Sequence, residues 1–231
     1  MTQRYAVYFT PDRSSELARF ANAWINDEPG ATVFGDEVPW SGLIDPDYRR
    51  SITSAPRTYG FHATLKPPFF LASGKELAEL ETAVAEFAAA RPRILLPNLQ
   101  FEVLGNFLAL GLSEPLEEVD ALAADAVRSL DEFRRPASDE ELALRRGVGL
   151  TERQEALLVK WGYPYVMEEF RFHMTLSTRL DETGQSRLLS ILRPIVSPLI
   201  ENPITIEAVS LVEQPESGAR FIERGRFPLL G

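Results

Sequence analysis

Cysteine is absent from this 231-residue chain, and histidine occurs only twice. The first absence excludes disulfide frameworks and thiol chemistry. No run of about eighteen apolar residues occurs, so no segment reads as a membrane span. The stretch from Met1 to Phe9 alternates and lacks the apolar block of a secretory signal. A cytoplasmic protein is the expectation. Positive charge is also scarce: Lys and Arg number 24 against 34 Asp and Glu, leaving a formal net charge of −10. Proteins that grip long nucleic acid present a basic face, because phosphate neutralisation supplies most of that affinity. Bulk DNA or RNA binding is therefore not expected. A nucleotide, a cyclic phosphate or an RNA end, held by a few local cations, stays open.

What is present is an ordinary globular composition, 45% hydrophobic and 25% charged. That excludes wholesale disorder and fibrous classes. The length suits a single domain covering residues 1–231, built as two intertwined lobes of roughly 1–135 and 136–231. A strand is predicted over Arg4 to Thr10, then a helix from about Ser14 with Leu17, Phe20, Ala21, Trp24 and Ile25 on one face. Asp27 to Thr58 reads as an irregular segment rich in Gly, Pro and aromatics, the length of a lid or binding loop. Between the lobes, Ser138 with Glu141 and Thr151 with Gln154 have capping-box spacing and mark two short helix starts. Arg145-Arg146-Gly147-Val148-Gly149 separates them and reads as a solvated turn, with a phosphate-facing lid as the alternative.

The rest of the chain repeats itself. A strand with Phe61-His62-Ala63-Thr64-Leu65 precedes a helix from about Lys75 to Ala90 and two apolar strands that meet at Gly105-Asn106. A second strand with Phe172-His173-Met174-Thr175-Leu176 precedes a helix carrying Leu188, Leu192, Ile195 and Leu199. Strands of about Ile204–Val212 and Ala219–Arg226 then pair around Glu216-Ser217-Gly218. The two turns fall at matching offsets from the two histidines, which points to a duplicated lobe.

A lone His on a strand is more often structural than catalytic. Here both histidines of the chain occur in Phe-His-x-Thr-Leu, and three matching flanks arise by chance on the order of once in several thousand. Residues two apart share a strand face. His62 with Thr64, and Arg171, His173, Thr175 and Ser177 together, should thus line something wet, with Lys66 beside the first pair. The residue types suit phosphodiester chemistry: one imidazole takes a proton while a second gives one. Displacement at phosphorus runs roughly in line, so the two belong on opposite sides of the phosphate. Each Thr hydroxyl can donate to a non-bridging oxygen. A metal site is the competing chemistry, but no His-x-x-x-His, His-x-His or His-Asp pair occurs and Thr is not a usual zinc ligand. No metal and no cofactor are expected.

At these residues the sequence resembles the 2H phosphoesterase superfamily, defined by two His-x-Ser/Thr motifs. More closely, Arg57 to Phe69 and Trp161-Gly162-Tyr163-Pro164-Tyr165-Val166 leading to Phe170 to Leu176 resemble a branch often encoded beside the carbon–phosphorus lyase machinery of phosphonate use. The resemblance implies an α+β, duplicated bilobal fold with two antiparallel sheets around a central cleft and helices outside. It implies hydrolysis, or the reverse ligation, of 2′,3′-cyclic or 2′,5′-linked phosphodiesters without a metal. Carried over, His62 and His173 are acid and base, and Thr64 and Thr175 are phosphate donors; Lys66, Arg171, Tyr165 and Ser177 are candidate substrate contacts. A substrate such as a cyclic ribosyl phosphate follows if the branch's gene neighbourhood holds. Two other readings stay open: a non-catalytic nucleotide-binding module, and an RNA-end ligase or processing enzyme with a basic rim of Arg49, Arg50, Arg57 and Arg171.

Overall fold

The computed structural model describes residues 3–26, 38–147 and 149–231. Its backbone divides into two main antiparallel sheets. The first runs in the order β2 (Ala63–Phe69), β1 (Arg4–Phe9), β8 (Ala208–Gln214), β9 (Ile222–Pro228). The second runs β4 (Leu99–Leu104), β5 (Phe107–Leu112), β6 (His173–Arg179). A short ribbon pairs β3 (Ile94–Leu96) with β7 (Ile204–Ile206). Each main sheet therefore takes strands from both halves of the sequence. The first His strand is completed by the hairpin of the second half, and the second His strand by the hairpin of the first half.

The duplicated pattern predicts His62 and His173 on adjacent central strands; both His strands are instead edge strands. For β2 the reason lies in its own residues. Pro67 and Pro68 lack N–H groups, and a strand with that gap is tolerated at an edge. Its register against β1 also slips between Tyr5↔Phe69, Val7↔Lys66 and Tyr8↔Thr64. The slip breaks the simple two-residue alternation just after the motif.

One apolar core lies against both sheets. Helix α1 (Glu16–Asn26) buries the face foreseen for it, and the Trp24 Nε1–H donates to the Leu176 carbonyl at 2.9 Å, tying α1 to the second His strand. Helices α4 (Leu77–Ala89), α5 (Glu117–Ser129) and α8 (Glu182–Val196) bury one face each. The segment expected to be irregular holds two short helices, α2 (Pro46–Ile52) and α3 (Ser54–Tyr59); residues 27–37 of it lie outside the described residues. Asp45 accepts from the N–H of Asp47 and Tyr48, with Pro46 in the first turn of α2, a start signal hidden among turn-forming residues. Both foreseen capping boxes are present, opening α6 (Asp139–Arg146) and α7 (Glu152–Trp161). Arg145 and Arg146 thus end α6 and do not form the turn; Val148 lies outside the described residues. The strand foreseen over 204–212 is split at Glu207, its first part leaving to pair with β3. Among the described residues no helix is long and apolar enough to cross a membrane.

Candidate active site

Helix α3 ends at Gly60, whose φ of +75° lies in the left-handed region and turns the chain into β2. That turn aims the Gly60 carbonyl at the next imidazole: His62 Nδ1 lies 3.1 Å from Gly60 O. In the second motif His173 Nδ1 lies 2.8 Å from Arg171 O. Each imidazole is thus held by the carbonyl two residues before it. A carbonyl can only accept, so Nδ1 carries the proton in both rings and Nε2 is the basic nitrogen. His62 Nε2 lies 3.0 Å from Thr64 Oγ1, whose hydroxyl donates to it. Nε2 of His173 has no protein partner among the described residues.

The two environments differ. His62 is 8% exposed, stacked on the Tyr8 ring at 3.6 Å between centroids and 18° between planes, with Tyr59 edge-on. Burial pushes its pKa down to about 3, opposed by the Gly60 carbonyl and reinforced by the positive charge His173 can carry. Burial also lowers the pKa of His173, while the Arg171 carbonyl and the Glu102 carboxylate act to raise it. The Arg171 guanidinium lowers it further, so burial and that charge outweigh the carbonyl and the carboxylate.

A cleft of about 810 Å³ opens between the sheets, with Thr64, Tyr163, Tyr165, Arg171, His173 and Arg179 in its wall. Thr64 brings the first motif to the surface of this cleft, with His62 directly beside it. Thr175 is half-buried and lies close enough to the Tyr59 hydroxyl to favour its ionised form. Arg171 is ion-paired to Glu102 and Tyr165 is exposed at the rim. Two expected contacts are not brought in. Lys66 is buried; its Nζ donates to the Val127 carbonyl at 3.0 Å and lies 3.9 Å from Asp131, because the register slip in β2 sends it toward α5. Burial pushes its pKa down to about 8, with Asp131 opposing. Ser177 is also buried, accepting from the Leu108 N–H and donating to the Thr178 carbonyl. The basic rim is not assembled either: Arg49 donates to the carbonyls of Ala23 and Trp24, and Arg57 to that of Ile25, at the end of α1.

The site also has members that strand patterning did not single out. Tyr8 lies on a strand whose alternation suggests only core. Glu102 sits on β4, and its carboxylate occupies the space where a Cβ on Gly111 would stand; Gly111 itself is paired with His173. The signal was a glycine inside a strand, which marks the close approach of another group. Among the described residues no group of three or more His, Cys, Asp or Glu side chains is arranged to hold a metal ion.

Two strand–helix–hairpin units, from which Thr64 and His173 reach one cleft, are the arrangement that the 2H phosphoesterase resemblance implies. The chain belongs to the family described as protein of unknown function (DUF1045), whose model matches residues 64–222. It is 37% identical over 232 residues to a protein of Janthinobacterium sp. (strain Marseille) named ribose 1,5-bisphosphate phosphokinase PhnN, with 99% of this chain and 51% of that one covered. A protein of the same name from Laribacter hongkongensis (strain HLHK9) is 33% identical over 223 residues, with 94% and 50% covered. The chain spans about half the length of these curated relatives. Among solved structures, E. coli LigT complexed with 3′-AMP matches with a TM-score of 0.48 and 16% identity, covering 100% of each chain.

Proposed function

We propose that the protein is a metal-independent phosphodiesterase acting on a small cyclic (2′,3′- or ribosyl cyclic) or 2′-linked phosphodiester. The observation that carries this reading is the matched imidazole geometry. Both Nδ1 atoms are fixed by a backbone carbonyl two residues upstream, so two Nε2 atoms are reserved for proton transfer. The chemistry balances with one proton shared by the pair. His62 Nε2 takes a proton from water as its oxygen bonds to phosphorus. His173 Nε2–H gives one to the ester oxygen as its bond to phosphorus breaks. Thr64 and Thr175 donate to the non-bridging oxygens. Glu102, beside His173, favours the protonated ring that an acid needs.

The longer relatives supply the substrate argument. Their name describes phosphorylation of ribose 1,5-bisphosphate, and this chain corresponds to half of them. A half that opens a ribosyl cyclic phosphate would hand a ribosyl phosphomonoester to a half that phosphorylates one. The test is a panel of cyclic and linear phosphodiesters with products identified by phosphorus NMR, run with and without EDTA. Turnover undiminished by EDTA is expected. Revival of a chelated, inactive enzyme by zinc or manganese would place the site among metal hydrolases. No turnover of any member, with binding retained, would favour the non-catalytic module.

A further inference from the structure

A second cavity, of about 650 Å³, adjoins the cleft, and Pro68, Tyr163, Tyr165 and Arg179 stand in both walls. Its wall holds five arginines, Arg4, Arg134, Arg135, Arg145 and Arg179, against a single carboxylate, Glu141. That is a dense positive lining for a chain of net charge −10. The arginines come from four separate places: the start of β1, the turn after the 3-10 helix Asp131–Phe133, the last turn of α6, and the end of β6. Their convergence is a property of the fold.

Surface arginines usually lie against acids, and two of these do. Arg135 pairs with Glu141 at 2.8 Å and Arg134 with Asp131 at 2.7 Å. Arg4, Arg145 and Arg179 form no ion pair among the described residues. Arg4 Nε donates to the amide oxygen of buried Gln214 at 2.8 Å, which orients the guanidinium without neutralising it. Arg145 lies over the Tyr163 ring at 4.8 Å, partly desolvated and close enough to Arg4 to feel its charge. Glu141 is the single carboxylate that also acts on Arg145; like charges crowded around so little countercharge are costly, and an anion among them offsets that cost. Planar guanidiniums match the oxygens of a phosphate.

Position sets the span. Arg4 and Tyr8 share one face of β1, about 13 Å apart along the strand, and Tyr8 is stacked on His62. The arginine side chain and one sugar ring fill such a gap between them. We infer that the arginine cavity binds a second phosphate of the substrate, a phosphomonoester on the same small molecule whose phosphodiester reaches His62 and His173. The substrate class is then a sugar phosphodiester that also carries a terminal phosphate.

This inference rests on the proposed phosphodiesterase reading for its second half, so the experiment separates the two. Ribose 5-phosphate and ribose are titrated calorimetrically into the wild-type protein, Arg145→Gln, Arg179→Gln and His173→Ala. Wild-type protein should bind ribose 5-phosphate and not ribose. Each arginine variant should weaken binding on the order of tenfold to a hundredfold, the worth of a charge-assisted hydrogen bond, while His173→Ala keeps it. Equal affinity for the two sugars, or undiminished binding by both arginine variants, overturns the inference. Loss of binding in His173→Ala alone would put the ligand in the catalytic cleft and also overturns it. These outcomes stand even if the phosphodiester panel shows no turnover. With turnover, adenosine 2′,3′-cyclic phosphate bearing a 5′-phosphate should exceed the plain compound in kcat/KM by more than about tenfold, a ratio that falls toward one in Arg145→Gln.

Discussion

The Thr64 hydroxyl has one proton and two claims on it. In the free protein it donates to His62 Nε2. In the proposed mechanism, once His62 has taken a proton its Nε2–H donates to Thr64 Oγ1, and the hydroxyl turns its own proton toward a phosphoryl oxygen. Proton uptake and oxyanion stabilisation are thereby linked through one side chain. Thr64→Val should cost more than the corresponding loss at Thr175, within a range of roughly ten- to a thousandfold in kcat, and it should raise the pKa of His62 by removing a donor to the neutral ring. His62→Ala and His173→Ala should each lose on the order of 10²–10⁴ in rate, and the double variant less than the product of the two. A folded His173→Ala enzyme with near-full kcat/KM would sink the two-histidine mechanism. The depressed pKa of His62 also acts on stability. Its unfolded value is near 6.5 and its folded value about 3, so the unfolded chain binds a proton that the folded one refuses. Stability is fully present above pH 6.5 and falls by up to about 1.4 kcal/mol per pH unit from there toward pH 3. Chemical denaturation across that window should show the slope in wild-type protein and a shallower one in His62→Gln. The two histidines and their threonines were legible in the sequence because a rare residue recurred in a repeated context. Glu102 and Tyr8 were not, because each acts across a sheet and only the fold brings it to the imidazole.

At the scale of elements, Gly111 and Glu102 form a matched pair on adjacent strands, and the glycine exists for the carboxylate. Gly111→Ala forces Glu102 aside; Glu102→Gln removes its charge in place. Both should lower the pKa of His173, so the basic limb of the kcat/KM profile moves to lower pH. Since the carboxylate raises that pKa in the native protein, an unmoved limb in Glu102→Gln would remove Glu102 from the site. Helices, caps and hairpins were largely readable, because each depends on neighbours within a few residues: the Ser138 and Thr151 boxes are examples. Lys66 and Ser177 were misplaced for a complementary reason. Strand alternation assigns a face only while the register holds, and β2 slips just after the motif. Ser177 falls in a second register shift, between β6 and β5, and its hydroxyl receives the Leu108 N–H of β5. Removal of the Thr151 cap should cost about 1 kcal/mol in thermal unfolding and leave the pH profile in place.

At the scale of the whole molecule, neither sheet can form from one half of the sequence. Unfolding should therefore be a single transition for both His strands, with hydrogen exchange of β2 and β6 protected to the same degree; two separated transitions would contradict the shared sheets. Deleting residues 208–231 should abolish the cleft although both histidines remain. The pairing of β3 with β7 carries the last consequence. Ile94↔Ile206, Leu95↔Thr205 and Leu96↔Ile204 join equivalent short strands, each preceding its own hairpin, in an antiparallel ribbon. Two equivalent segments paired antiparallel across their own centre are the signature of an isologous contact. A single repeat would satisfy this geometry by lending its hairpin to a second identical copy and receiving that copy's hairpin in return. The chain carries that exchange within itself, β8 and β9 completing the sheet of β2, and β4 and β5 that of β6. Fusion of the copies is what frees the two sides to diverge, letting one imidazole be buried against Tyr8 while its counterpart keeps Glu102.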